Sequence, residues 1–422
     1  MAAGFNRASA SIGRWRGDPS AIAASRAEIA AQVHRVHEPL FAVDLGGTLG
    51  FTASGEAVLG ADAGGDAALA AFAPVAPASA LGDPSFAKRH GLRFNYVAGA
   101  MAGGIASVEL VEAMARAGML GMYGAAGLDL DTVEAALHRL STRLLDRPWG
   151  ANLIHSPYEP ELERGVVELY LRRGVHLVSA SAYLDITRPL LRYRLHGLRR
   201  GPDGTVVAPN RVLAKVSRVE VAEKFLSPPS PAQLRTMVEA GELDAAAAVL
   251  AENLPIASDL TVEADSGGHT DNRPALTLLP TMIALRDRIA AARGYAETPR
   301  VGAAGGIGTP AAAAAAFAMG AAYVVTGTIN QACLEAGTSD TVRTMLAEAG
   351  QADVAMAPAA DMFEMGVELQ VLRRGTLFPM RARKLWEVYR AHASLEDIAA
   401  VDRDKLERTS RTCALGTATE IF

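Results

Sequence analysis

The chain has 422 residues, 50% of them hydrophobic, with a formal net charge of -5 and a pI near 6.0. That length supplies core for one large domain or two ordinary ones, and mild acidity with scattered arginines excludes a nucleic-acid footprint. Two cysteines, Cys333 and Cys413, lack metal-ligand spacing and cannot form a disulfide framework, which points to a reducing compartment.

The first residues carry no apolar core of signal-peptide length. No stretch reaches the roughly 18 unbroken apolar residues of a membrane span. The expectation is a cytoplasmic protein with no membrane partner. Residues 1–90 read as a small N-terminal accessory region. Within it, 40–45 and 49–51 read as short strands around Gly46-Gly47, and the Ala/Gly/Pro-rich stretch 61–80 as a surface connection.

From Asn95 a rhythm begins. Short apolar runs at 96–101, 120–124, 150–154, 176–180, 212–216, 260–263, 300–304 and 322–326 alternate with helix-like segments such as 107–117, 130–145, 160–173 and 309–319. Such strand–helix units predict an α/β protein, a parallel (β/α)8 TIM barrel over residues 91–330, with an open doubly wound sheet as the alternative. A helical insertion at about 221–256 interrupts the rhythm, and 331–422 reads as a helical subdomain or lid with a tail. Methionine and phenylalanine flanked by arginines there (Arg373, Arg374, Phe378, Met380, Arg381, Arg383) suit a lid or a partner-facing surface.

In such a barrel the chemistry lies at the C-terminal strand ends. Gly305-Gly306 after the seventh strand, with Gly327-Thr328 after the eighth, predicts a phosphate site made of backbone N–H groups. Glycine is needed there because a Cβ would hold the phosphate off the amides. No G-x-G-x-x-G with a downstream acidic residue appears, so a mononucleotide such as FMN suits the site better than a dinucleotide fold.

The sixth strand runs into Glu263-Ala264-Asp265-Ser266-Gly267-Gly268-His269-Thr270-Asp271-Asn272-Arg273. His269 is the candidate catalytic group, able to donate to a carbonyl or move a proton near neutral pH. A structural histidine bonded to a neighbouring turn is its plain alternative, and without an H-x-x-x-H partner no metal site is expected. Lys215 ends the fifth strand, as a Schiff-base nucleophile, a counter-charge to flavin or phosphate, or a solvated end. Asn152 suits a flavin ring edge. His155, before Ser156-Pro157, suits a site or a helix-start cap equally. Met101 with Gly103-Gly104 ends the first strand.

The runs 96–107, Asn152-Leu153-Ile154-His155-Ser156-Pro157, 261–274 and 301–308, with 357–366 and 374–382, resemble the PfaD family. Its members are FMN-dependent enoyl reductases of polyunsaturated fatty acid synthases and of polyketide synthases with trans-acting acyltransferases. More broadly the chain is similar to nitronate monooxygenases and bacterial FMN-dependent enoyl reductases. The resemblance implies a TIM barrel, FMN, NADPH and an enoyl thioester carried by an acyl carrier protein. It implies His269 as the catalytic residue and Ala100, Met101, Asn152, Lys215, Ser266, Gly267, Gly268, Ala304, Gly305, Gly306, Gly327 and Thr328 as the cofactor-binding set. Oxidation of nitroalkanes is the alternative activity, a flavin-less docking subunit the non-enzyme one, and a homodimer is left open. The tail at 409–422 departs from the family's continuation.

Overall fold

In the computed structural model, residues 11–60, 64–157, 159–360, 362–394 and 396–411 are described; Asp361, Cys413 and the tail from residue 412 lie outside them. The chain divides into two units, residues 1–81 and 82–422.

Every run expected as a barrel strand is one. Tyr96–Ala98, Leu120–Tyr123, Gly150–Ile154, Leu177–Ser181, Arg211–Val216, Asp259–Glu263, Arg300–Ala304 and Val324–Thr326 pair in parallel. They close into a barrel, with Val325 of the eighth strand opposite Val97 of the first. Closure leaves no edge for unwanted pairing. Covered on both faces, such strands read as unbroken apolar runs rather than alternating ones; Leu120–Tyr123 and Arg300–Ala304 are buried throughout. The following helices start on side-chain caps: Ser107 accepts from the Leu110 N–H, Asp129 from Thr132, and Thr309 from Ala312. Each cap satisfies an otherwise orphaned amide and sets where the turn after the strand ends.

Outward strand positions such as Val178, Ala214 and Leu260 join helix residues such as Leu137, Leu140 and Phe225 in the main core. A second cluster gathers Val97, Leu120, Met122, Leu177 and Leu213 with Tyr323 and Phe86. Phe86 lies on the helix Pro84–His90 and stacks on Tyr323, with ring centroids 3.9 Å apart. On the same helix, His90 Nε2 lies 3.1 Å from the buried Asp259. Residues 82–90 therefore belong to the barrel unit, not to the accessory region in which the sequence reading placed them. Truncating Phe86 would cost about 3–5 kcal/mol.

The insertion contains the helices Pro231–Glu239 and Ala245–Ala251. The segment after the barrel departs from its expected helical character. It holds the helices Asp340–Ala347 and Phe378–Ala391, but also two antiparallel strands, Val354–Pro358 and Glu368–Leu372. The second of these pairs with Gly268–His269, giving a three-stranded sheet.

The unit at 1–81 is a five-stranded antiparallel sheet around Trp15, Phe41, Val43 and Leu69. Its central strand, Ala67–Ala73, lies where the sequence reading placed a surface connection. Alanine has weak strand preference by itself, and pairing on both sides overrides it. Among the described residues no helix is long and apolar enough to cross a membrane.

Candidate active site at the strand tips

The tips of strands seven and eight form a surface almost without side chains. Gly305 and Gly306 adopt φ of +90° and +69°, a region that favours glycine. A Cβ on Gly305 would stand 2.6 Å from the Ala264 carbonyl oxygen and 2.7 Å from that of Asp265. That glycine is therefore required by the close approach of the strand-six loop. At Gly327 and Gly268 a Cβ would meet nothing within 4 Å, and at Gly306 only the Asp265 oxygen at 4.0 Å. Those three glycines border open space. Thr328 opens the short helix Thr328–Gln331, whose first N–H groups have no intrahelical acceptor. A Cβ on Gly267 would lie 3.1 Å from Thr328 Oγ1, which places Ser266, Gly267 and Gly268 beside this cradle. Ala304, the last residue of strand seven, is buried and accepts the Ala264 N–H at 2.9 Å.

The strand-six loop is held at several points. The Asp265 N–H donates to the Arg273 carbonyl at 2.9 Å and closes the loop on itself. Gln370 Nε2 donates to Asp265 Oδ1 at 3.0 Å. Asp271 accepts from Ser217 at 2.5 Å and from both Nε and Nη2 of Arg218 at 3.0 Å. The Arg218 guanidinium holds the Asp271 carboxyl down at about 2, the Ser217 bond adding to it. His269 rides on this loop, half-buried, its backbone paired with Leu369. The sequence pointed to His269 but not to the ribbon strand that supports it.

Lys215 is not a solvated end. Its Nζ lies 2.9 Å from Glu263 Oε1, which also accepts from Ser266 at 3.3 Å. The carboxylate neutralises the ammonium and leaves it further N–H groups for a ligand. On the strand-one side, Ala100 and Met101 are half-buried. The Met101 carbonyl accepts the Ala106 N–H at 3.1 Å, and the Gly103 N–H donates to Ala126 at 2.8 Å. Asn152, buried on strand three, supports that turn from below: its Oδ1 accepts the Ala126 N–H at 3.1 Å. The Asn152 oxygen is thus committed to the protein, and its NH2 group is the half left for a ligand.

His155 does not cap the next helix. Its Nδ1 lies 2.9 Å from the buried Glu163. A cation, a held imidazole, an amide and a backbone cradle thus ring one end of the barrel. That set can grip a phosphate, face a planar ring and donate to an oxyanion.

No family model matches the chain. The chain is 47% identical over 330 residues to a polyunsaturated fatty acid synthase component of Thraustochytrium sp., covering 78% of this chain and 22% of that protein. It is 44% identical over 331 residues to the polyketide biosynthesis protein PksE of Bacillus subtilis, covering 78% of this chain and 43% of that one. It thus spans less than half the length of either relative. Among solved structures, it matches the enoyl reductase domain of MlnA from the macrolactin cluster of Bacillus amyloliquefaciens at 41% identity and a TM-score of 0.76, covering 79% of this chain and 75% of that domain. With its eight-stranded barrel and glycine-lined strand tips, the chain belongs to the PfaD family, alongside the enoyl reductase domain of that polyketide cluster.

Proposed function

We propose that this chain reduces the α,β-double bond of enoyl thioesters carried on an acyl carrier protein, using FMN and NADPH. The observation that carries the reading is the glycine cradle at the tips of strands seven and eight beside the loop that bears His269. The residues fit a flavin mononucleotide. Gly268, Gly306 and Gly327 border space that a Cβ would otherwise enter, and one cradle suits one phosphate. Gly305, Gly306, Gly327 and Thr328 would hold that phosphate, with Ser266, Gly267, Gly268 and Ala304 forming the adjoining wall. Lys215 and the Asn152 NH2 would meet the ring, with Ala100 and Met101 as the floor. When bound and reduced, a flavin supplies hydride.

His269 then has a defined task. As hydride reaches the β-carbon, charge builds on the thioester oxygen, and a donor fixed in advance stabilises that charge at little cost in reorganisation. The pinned loop and its ribbon partner provide that fixing. NADPH as the reductant rests on the family resemblance. For the carrier protein, the helix Phe378–Ala391 and the turn before it offer Arg373 and Lys384 as exposed cations near exposed Leu377 and Met380. Arg374 and Arg383 are partly engaged within the chain, with the Glu348 carbonyl and the Glu368 carboxylate.

The test is anaerobic. A yellow protein that NADPH bleaches and crotonyl thioester re-oxidises supports the reading. Re-oxidation by oxygen alone would favour nitroalkane oxidation, and a protein that takes up no flavin would exclude both.

A further inference from the structure

Strand three ends on a group that the proposed function leaves unused. His155 follows the strand directly, and its Nδ1 lies 2.9 Å from Glu163 Oε2. Glu163 stands in the first turn of the helix Pro160–Arg173, and its side chain is only 3% exposed. So deep a carboxylate is costly unless its lone pairs are filled. The Tyr183 hydroxyl donates to Oε1 at 3.1 Å and the Thr187 hydroxyl at 2.5 Å, and the Ser156 N–H reaches Oε2 at 3.4 Å. Burial, and then the nearby Glu163 charge, holds the Tyr183 hydroxyl well above the ordinary tyrosine range, so it remains a donor.

These contacts fix the imidazole. Nδ1 faces the Glu163 carboxylate, an acceptor that favours the Nδ1–H tautomer, and one ring face lies against Tyr183 with centroids 5.3 Å apart. The edge that carries Nε2 is what remains, and the side chain keeps 25% exposure. The helix that follows uses no side-chain cap bond, so this ring is not spent on starting it. A buried carboxylate behind an imidazole sets the tautomer of the neutral ring and its orientation. Three further side chains and a backbone amide are committed to orienting one ring, on the barrel end that carries His269.

Enoyl reduction requires two separate acts from protein groups. The thioester oxygen needs a hydrogen bond while hydride adds to the β-carbon, and the α-carbon then needs a proton. We infer that His269 serves the oxygen and that His155, positioned by Glu163, gives its Nε2 proton to the α-carbon. Hydride added at the β-carbon, which a bound reduced flavin would supply, would form the β C–H bond and push the double-bond pair toward the carbonyl. The pair returns to form the α C–H bond as the Nε2–H bond of the doubly protonated His155 ring breaks, which leaves the neutral Nδ1–H imidazole against Glu163, and water then returns a proton to Nε2. This assignment rests on the enoyl-thioester reading above.

The experiment uses the flavin-loaded enzyme and separates its two half-reactions. His155→Gln should slow re-oxidation by crotonyl thioester by about 100-fold, the scale of a general acid, and leave reduction by NADPH within about 2-fold. Glu163→Gln should slow the same half-reaction by about 10-fold. Added imidazole should restore part of the rate to His155→Ala. Equal slowing of both half-reactions, or no slowing, would overturn the inference. Ring-nitrogen NMR of histidine-labelled wild type, with His155→Gln as the assignment, gives a readout apart from turnover: when the ring is neutral the Nδ1–H tautomer is expected, with Nε2 gaining its proton only in the doubly protonated acid form, and a neutral Nε2–H tautomer would overturn the positioning by Glu163. If wild type itself reduces no enoyl thioester, the proposed function fails, and the tautomer still decides whether Glu163 sets the ring.

Discussion

The cradle at strands seven and eight and the loop after strand six lie side by side but are built by different means. The cradle is local: Gly305, Gly306, Gly327 and Thr328 each follow directly from the end of their own strand. The loop is assembled at long range. It takes Ser217 and Arg218 from strand five's tip, and Leu369 and Gln370 from a ribbon roughly a hundred residues further along. Cofactor retention should therefore depend on a few glycines, whereas placement of His269 should depend on the C-terminal segment. The two properties should be separable by mutation.

The hardest blow to the local half is Gly305→Val. It forces a β-branched residue to φ of +90° and drives its Cβ into the Ala264 and Asp265 carbonyls. Backbone strain alone costs about 1–3 kcal/mol, so bound flavin should be lost and the melting temperature should drop; retention of both would refute the cradle. His269→Ala should keep the flavin spectrum and lose about 100-fold in enoyl reduction, the scale of one oxyanion donor.

Leu369→Pro attacks the long-range half. It removes a ladder hydrogen bond in the central strand of the three-stranded sheet. Turnover should fall about 10-fold, on the scale of a lost hydrogen bond, while flavin content stays near wild type. Loss of flavin in step with turnover would erase the distinction between the two regions.

Asp271→Asn gives the smallest effect. The carboxyl is held at about 2 in the folded chain, below the ordinary value of about 4. Its ion pair with Arg218 therefore stabilises the fold above about pH 4, and that contribution fades as pH falls toward about 2. At a partly exposed site it is worth about 1 kcal/mol at most. Acid unfolding followed by circular dichroism should show wild type losing this margin and Asp271→Asn having none to lose.

What could be read from the sequence follows the same division. All eight barrel strands were legible because strands buried on both faces announce themselves as apolar runs. The glycine tips were legible because a turn that must omit its Cβ leaves a composition signal. The ribbon was not. Val354–Pro358 has weak alternation, and the link of its partner Glu368–Leu372 to Gly268–His269 is a two-residue bridge that no local pattern marks. Ala67–Ala73 was missed because alanines form a strand only when neighbours on both sides supply the hydrogen bonds. The helix Pro84–His90 was read with the accessory region because its packing partner, Tyr323 against Phe86, lies far along the chain. His155 was visible as a residue, but its carboxylate partner comes from the next helix and became clear only in three dimensions.

The most direct test of the central claim is product analysis. Wild type and His269→Ala, both flavin-loaded, are given NADPH and crotonyl thioester without oxygen, and the saturated thioester is quantified by mass spectrometry. The account predicts butyryl thioester from wild type and about 100-fold slower formation from the variant, with the same flavin spectrum. Equal rates of product from both, or no butyryl thioester from wild type, would contradict it.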